Sequence, residues 1–280
     1  MKKLILICTI AGITTVLPAQ AQLLKKIQNA AQNAAQSTTT PKNEKEGKSP
    51  MEGLLGGMMQ AADTESSYDF TGYMVMEVTS INKKGKADPP SRINYLLTDN
   101  TDFMGMSFAD PKTPENITTT IMDVKNQAMV ILMDNEGQKT SIAMKVDYDK
   151  IQEMVDEEAD GQMEEENYSV TKTGNKKDIL GYTCEEYLVK SEDGQGNYWV
   201  TEEPIEGFSM FSPQSNPMIS NKTVEKYQSF FSSAPKGTFL EMIFTDNNGE
   251  VTDMKVVEIQ TSSPKKFNMS SYPNAMSGMN

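Results

Sequence analysis

The sequence predicts a mainly β (α+β) fold in which antiparallel strands form one domain covered by one or two helices. Three observations carry that prediction. Apolar and polar residues alternate over several short runs, the pattern of strands buried on one face and open on the other. Clusters of Asn, Asp and Gly separate the runs and suit tight hairpins. Helical spacing of apolar residues is confined to two segments in the body of the chain.

In chain order, Phe70, Met74, Met76 and Val78 share one parity, and Thr71, Glu77 and Thr79 the other. Ile142, Met144 and Val146 alternate with Ser141, Ala143 and Lys145, and Leu240, Met242 and Phe244 with Glu241, Ile243 and Thr245. Residues 128–133 are apolar throughout and are expected to be covered on both faces. Turns are expected at Asp134–Gly137, Ser191–Gly196 and Asp246–Gly249. Three hairpins so close together argue for a meander over a βαβ fold. One helix is expected over Asn221–Phe231, with Asn221 as cap and Pro235 and Gly237 as stop. A second is expected over Tyr148–Glu158, with Ile151, Met154 and Val155 on one face.

The ends read differently. Lys2 and Lys3, the apolar run Leu4–Val16 and the small residues Ala19 and Ala21 form a secretory signal, with cleavage expected after Ala21. Cys8 goes with it. Residues 22–65 form a polar, low-complexity, partly helical tail and linker, residues 66–272 the β-rich domain, and residues 273–280 a C-terminal tail. The run in the signal is too short to span a bilayer stably, and no later segment is apolar enough to try. The mature chain is therefore expected to be soluble and periplasmic.

Composition narrows the chemistry. The formal net charge is −13, which repels nucleic acid and anionic lipid. Arg92 is the sole arginine, so no arginine clamp for phosphate can form. Histidine is absent, which removes the commonest general base and metal ligand. No nucleophile–base pair or phosphate-binding glycine loop is evident. The acidic run from Asp156 resembles a calcium loop, but its twelfth position is Asn167 where a bidentate Glu belongs. The sequence therefore points to no catalytic residue, no cofactor and no nucleic-acid partner.

Three features remain. Cys184, in the stretch KDILGYTCEEYLVK, has no mature cysteine to pair with. It reads as a small buried hydrophobe, with an intermolecular disulfide as the alternative. Leu180, Tyr182 and Leu188 share its parity, and Glu186 interrupts that face, as a bulge or a sheet edge would. Methionine numbers 21. A flexible thioether-rich surface suits a cavity that adapts to an apolar ligand, with Met74, Met76, Met144, Met242 and Trp199 as candidate lining. Thioethers also bind copper(I), for which Met269, Met276 and Met279 in the tail are weak candidates. Finally, the loop Pro204–Met218 carries Phe208, Met210, Phe211 and Met218, which with Phe230 and Phe231 form a candidate lid or partner surface.

Ile179, Gly181, Tyr182, Cys184 and Tyr187, followed by Trp199, Val200 and Thr201, carry a resemblance. This pattern resembles the signature of an exported bacterial family known as domain of unknown function 4412, itself similar to periplasmic lipoprotein carriers and their receptors. The resemblance implies a curved antiparallel half-barrel closed by helices around a cavity for acyl chains. It also implies an inward-facing arginine, for which Arg92 is the positional candidate. The expected function is that of a non-enzymatic exported protein holding an acyl chain or other apolar ligand. The alternatives are a methionine-based copper(I) or silver(I) binder, and an envelope scaffold whose N-terminal tail docks a partner protein.

Overall fold

The computed structural model describes residues 60–109, 115–148, 168–191, 193–207, 225 and 235–275. Both expected helices, the acidic run and the terminal tails lie outside these residues, apart from Gln60–Glu65, Tyr148, Glu225 and Pro273–Ala275. Among the described residues Met269–Ser271 form a 3-10 turn, Tyr148 and Glu225, one in each expected helical segment, are helical, and no helix is long and apolar enough to cross a membrane.

The described residues form thirteen strands: β1 Ser67–Phe70, β2 Gly72–Ile81, β3 Ser91–Leu97, β4 Phe103–Ala109, β5 Ile117–Asp123, β6 Ala128–Asn135, β7 Gln138–Lys145, β8 Tyr168–Ile179, β9 Tyr182–Ser191, β10 Gly194–Thr201, β11 Thr238–Asp246, β12 Val251–Gln260 and β13 Lys265–Asn268. Eleven of them make one sheet in the order β7-β6-β5-β4-β3-β2-β12-β11-β10-β9-β8. Every pair is antiparallel. Two meanders, β2–β7 and β8–β12, therefore meet at the β2/β12 ladder. β7 and β8, successive in the chain, stand at opposite edges, so the sheet is open and does not close into a barrel.

The β2/β12 ladder does not stop at the sheet. Past Thr71 on one side and Thr261–Pro264 on the other, the same two chain segments continue as β1 and β13, paired from Ser67↔Asn268 to Phe70↔Lys265. This ribbon folds onto the outer face of β3–β7. Tyr68 and Phe70 pack edge-on against Phe103 at 5.2 and 5.4 Å between ring centroids. Beneath them lie Leu96, Ile121, Ala128, Val130, Leu132 and Ala143, which form one core with Tyr272. Gly105 admits the flap, since a Cβ there would stand 2.7 Å from the Phe70 ring. Residues 128–133 thus meet the flap core through Ala128, Val130 and Leu132, and turn Met129, Ile131 and Met133 to the opposite face.

The free edge of β7 is covered at both ends. Gln60 and Ala62 hydrogen-bond with Lys145 and Ala143, and Pro273 and Ala275 with Ser141. Unpaired strand edges invite intermolecular pairing, and such straps block it.

The three hairpins expected from Asn, Asp and Gly clusters are present, joining β6 to β7, β9 to β10 and β11 to β12. A fourth corrects the sequence reading. Lys177–Lys190 reads as one strand, but the chain reverses within it. Ile179 pairs with Tyr182, and Leu180 and Gly181 form the two-residue turn with φ of 53° and 88°. Positive φ at both central residues defines the turn that matches strand twist. Gly181 adopts it freely; Leu180 is forced into it and is 48% exposed. The bulge signalled by Glu186 lies on the partner strand, where the register shifts between Lys172 and Lys176.

Candidate ligand-binding face

Direct cross-strand partners project from the same face of a sheet, so the register sorts the side chains. One face carries Met74 and Met76 on β2, Met104 and Met106 on β4, Met122 on β5, Met129 and Met133 on β6, Met144 on β7, Met242 on β11 and Met254 on β12. Nearly half of the 21 methionines therefore share one surface. Ile93, Tyr95, Leu97, Leu240, Phe244 and Val256 fill the places between them. The candidates Met74, Met76, Met144 and Met242 all lie here and are buried.

One described segment outside the sheet reaches this face. Residues 202–207 leave β10, bury Ile205 in the methionine core, and dock where the Gly207 carbonyl accepts from the Thr98 amide at 2.9 Å. In the sheet order, β10 and β3 are four strand steps apart, roughly 19 Å at 4.8 Å per step. The segment, with a bend at Glu203 and a turn at Glu206–Gly207, is thus a strap from β10 to the end of β3. Gly207, with φ of 74°, is needed there because a Cβ would meet the Thr98 amide at 2.9 Å. Phe208, Met210, Phe211, Met218, Phe230 and Phe231 follow it and lie outside the described residues.

The opposite face of β9–β3 is polar. A single cross-strand row runs Glu186, Trp199, Glu241, Lys255, Glu77, Arg92. Trp199, a candidate for the cavity, therefore faces away from the methionines. The Lys177 ammonium lies 4.2 Å from its ring centroid and donates to Glu241 at 2.7 Å. Arg92 is likewise outward: its side chain is 70% exposed and pairs with Glu77 at 2.6 Å. An inward arginine, implied by likeness to the carriers, is not present, because residues of that parity on β3 project to the outer side.

Of the remaining signature residues, Cys184 belongs to the apolar core, and Ile179 and Tyr182 pack against it. Cys184 stands opposite Lys177, is fully buried and unpaired, and burial pushes its thiol up to about 11. It is a packing residue without the thiolate that nucleophilic chemistry needs. Glu186 is held by Thr173, Asn175 and Asn197, all at 2.7 Å. The β8 bulge, with Gly174 at φ 88°, loops Thr173 and Asn175 over that carboxylate. These hydrogen bonds, Thr173 first and Asn175 next, hold it below the usual carboxylate range. Tyr187, opposite Tyr198, belongs instead to the methionine face.

The other candidate sites are smaller. Met269 packs against the flap core, apart from the other methionines, while Met276 and Met279 lie outside the described residues. A cleft of about 110 Å³ opens between the flap and the main sheet, lined by Ser107, Thr119, Leu132, Phe267 and Tyr272 among others. Small-molecule pockets start at roughly 300 Å³, so this cleft does not compete with the methionine face. Met104, Met106, Met122, Met129, Met133 and Met254 were not singled out from sequence as lining residues. Their period-two placement within β4–β6 and β12 was the available signal.

The model of a family described as "Domain of unknown function (DUF4412)" matches residues 70–271. No curated protein matches the chain significantly. Among solved structures, PNGF-II is similar at 13% identity and a TM-score of 0.27, covering 72% of this chain and 31% of that one. MucB in complex with MucA(peri) is similar at 8% identity and a TM-score of 0.30, covering 70% of this chain and 50% of that one. The chain thus spans about a third of PNGF-II and half of MucB.

Proposed function

The chain belongs to the DUF4412 family, and we propose that it is an exported, non-enzymatic binding protein that holds an acyl chain or similar apolar ligand. The observation supporting this reading is the gathering of methionines on one face of an open sheet, strapped by residues 202–207. A plain core is served by Leu, Ile and Val, whose rotamers are few. Methionine, unbranched and polarizable, suits a surface that repacks around ligands of varying shape. In the sequence the strap is followed by Phe208, Met210, Phe211 and Met218. Export through residues 1–21 would place the protein in the periplasm, where acyl chains in transit need shielding from water.

Gently purified protein analysed by native mass spectrometry should carry a bound lipid, and an environment-sensitive hydrophobic dye should bind and be displaced by a fatty acid. Protein free of lipid that binds neither dye nor fatty acid would overturn this reading.

A further inference from the structure

Within the methionine face, one row is unlike the rest. Met104 pairs with Met122, Met122 with Met129, and Met129 with Met144, across four successive strands. Directly opposed side chains have Cβ atoms about 4.5–5.5 Å apart. A methionine side chain carries its sulfur on a flexible stem, so neighbouring thioethers can converge on a common point. Met104 and Met144, at the two ends, are buried, whereas Met122 and Met129, in the middle, are half-buried and reachable.

We propose that this row is a binding site for a soft monovalent cation, copper(I) or silver(I), centred on Met122 and Met129 and completed by Met104 or Met144. Thioether sulfur is a soft ligand that selects copper(I) over hard or borderline ions. The setting favours it further. The chain has no histidine, and among the described residues no group of three or more His, Cys, Asp or Glu is placed to hold a metal. Harder ions therefore have no competing cluster there. The net charge of −13 raises the local concentration of cations. Thioethers carry no proton to displace, so affinity at this site is independent of pH, unlike that of a histidine or thiolate site.

The test is a titration of the purified protein with copper(I) against a chromogenic copper(I) chelator, at pH 5.5 and 7.5. The expected result is one ion bound more tightly than micromolar, with equal affinity at both pH values. Met122→Leu/Met129→Leu, which conserves volume, should weaken binding at least tenfold while keeping the apolar surface. Fatty-acid binding is measured separately on the unaltered protein, so failure of the copper(I) proposal and failure of the acyl-chain reading are distinguishable. In the unaltered protein, silver(I) should slow peroxide oxidation of Met122 and Met129, read by peptide mass spectrometry. Three results would overturn the proposal: binding weaker than micromolar, undiminished binding by the folded double variant, or silver protection confined to Met269, Met276 and Met279.

Discussion

The Tyr68 hydroxyl, on the folded-over flap, donates a 2.6 Å hydrogen bond to Asp123, a fully buried carboxylate at the end of β5. The Asn126 amide and side chain donate to the same carboxylate at 2.9 and 2.8 Å. Burial, and then the bond to Asp123, hold the phenol far above its ordinary value, so it stays a donor throughout the physiological range. This contact fastens the β1/β13 ribbon to a sheet strand 55 residues away.

Tyr68→Phe leaves Asp123 short of one donor while preserving the ring that packs on Phe103. A buried polar group deprived of a partner costs about 1–3 kcal/mol. Urea unfolding should show that loss, and amide exchange should quicken in β1 and β13 before the main sheet. Unchanged stability would mean that the flap is held by its aromatic contacts alone.

At Leu180 the prediction runs the other way. A branched side chain in the left-handed region costs roughly 1–2 kcal/mol, whereas Asn is favoured at this position of a two-residue hairpin. Leu180→Asn should therefore raise stability by about 1 kcal/mol, seen as a higher melting temperature. A lower one would assign the exposed Leu180 side chain a packing role.

Glu186 carries a pH dependence whose sign follows from its lowered value. The folded carboxyl ionises more readily than the unfolded one, whose value is about 4.3. Its contribution is thus fully present above that pH and is lost as acid takes the solution down through the folded value. Glu186→Gln should destabilise the protein by about 1–3 kcal/mol at neutral pH, because the new amide presents a donor to donors. The same variant should lose less stability than wild type between pH 5 and pH 3. Parallel acid-unfolding curves would contradict this account.

The methionine face separates volume from chemistry. Met74→Ala or Met242→Ala, at buried positions, should cost about 2–5 kcal/mol through cavity formation. The corresponding leucine variants should cost less than about 1.5 kcal/mol. Thr120 on the same face is buried, and its hydroxyl has no hydrogen-bond partner among the described residues. Thr120→Val should then stabilise the protein by about 1 kcal/mol. If fatty-acid binding falls in that variant, the hydroxyl orients the ligand.

Much of the architecture was legible along the chain. Alternation in residues 141–146 and 240–245 marked strands, because a strand's two faces are set by neighbours two residues apart. The Asp134–Gly137 and Asp246–Gly249 turns were equally local. The reversal at Leu180–Gly181 escaped notice because only its glycine signals a turn, and leucine argues against one.

What pairs with what was decided elsewhere. Parity shows that Met74 and Met76 share a face, but only register joins them to Met106, Met242 and Met254, and sets Arg92 and Trp199 on the other side. β2 meets β12 across some 180 residues of chain, and no local pattern encodes which strand lies next to which. The sequence by itself determined the strands, the turns and the want of histidine chemistry. The tertiary structure decided that the methionines converge and that the sheet stays open, because register between distant strands is chosen by burying whole faces together.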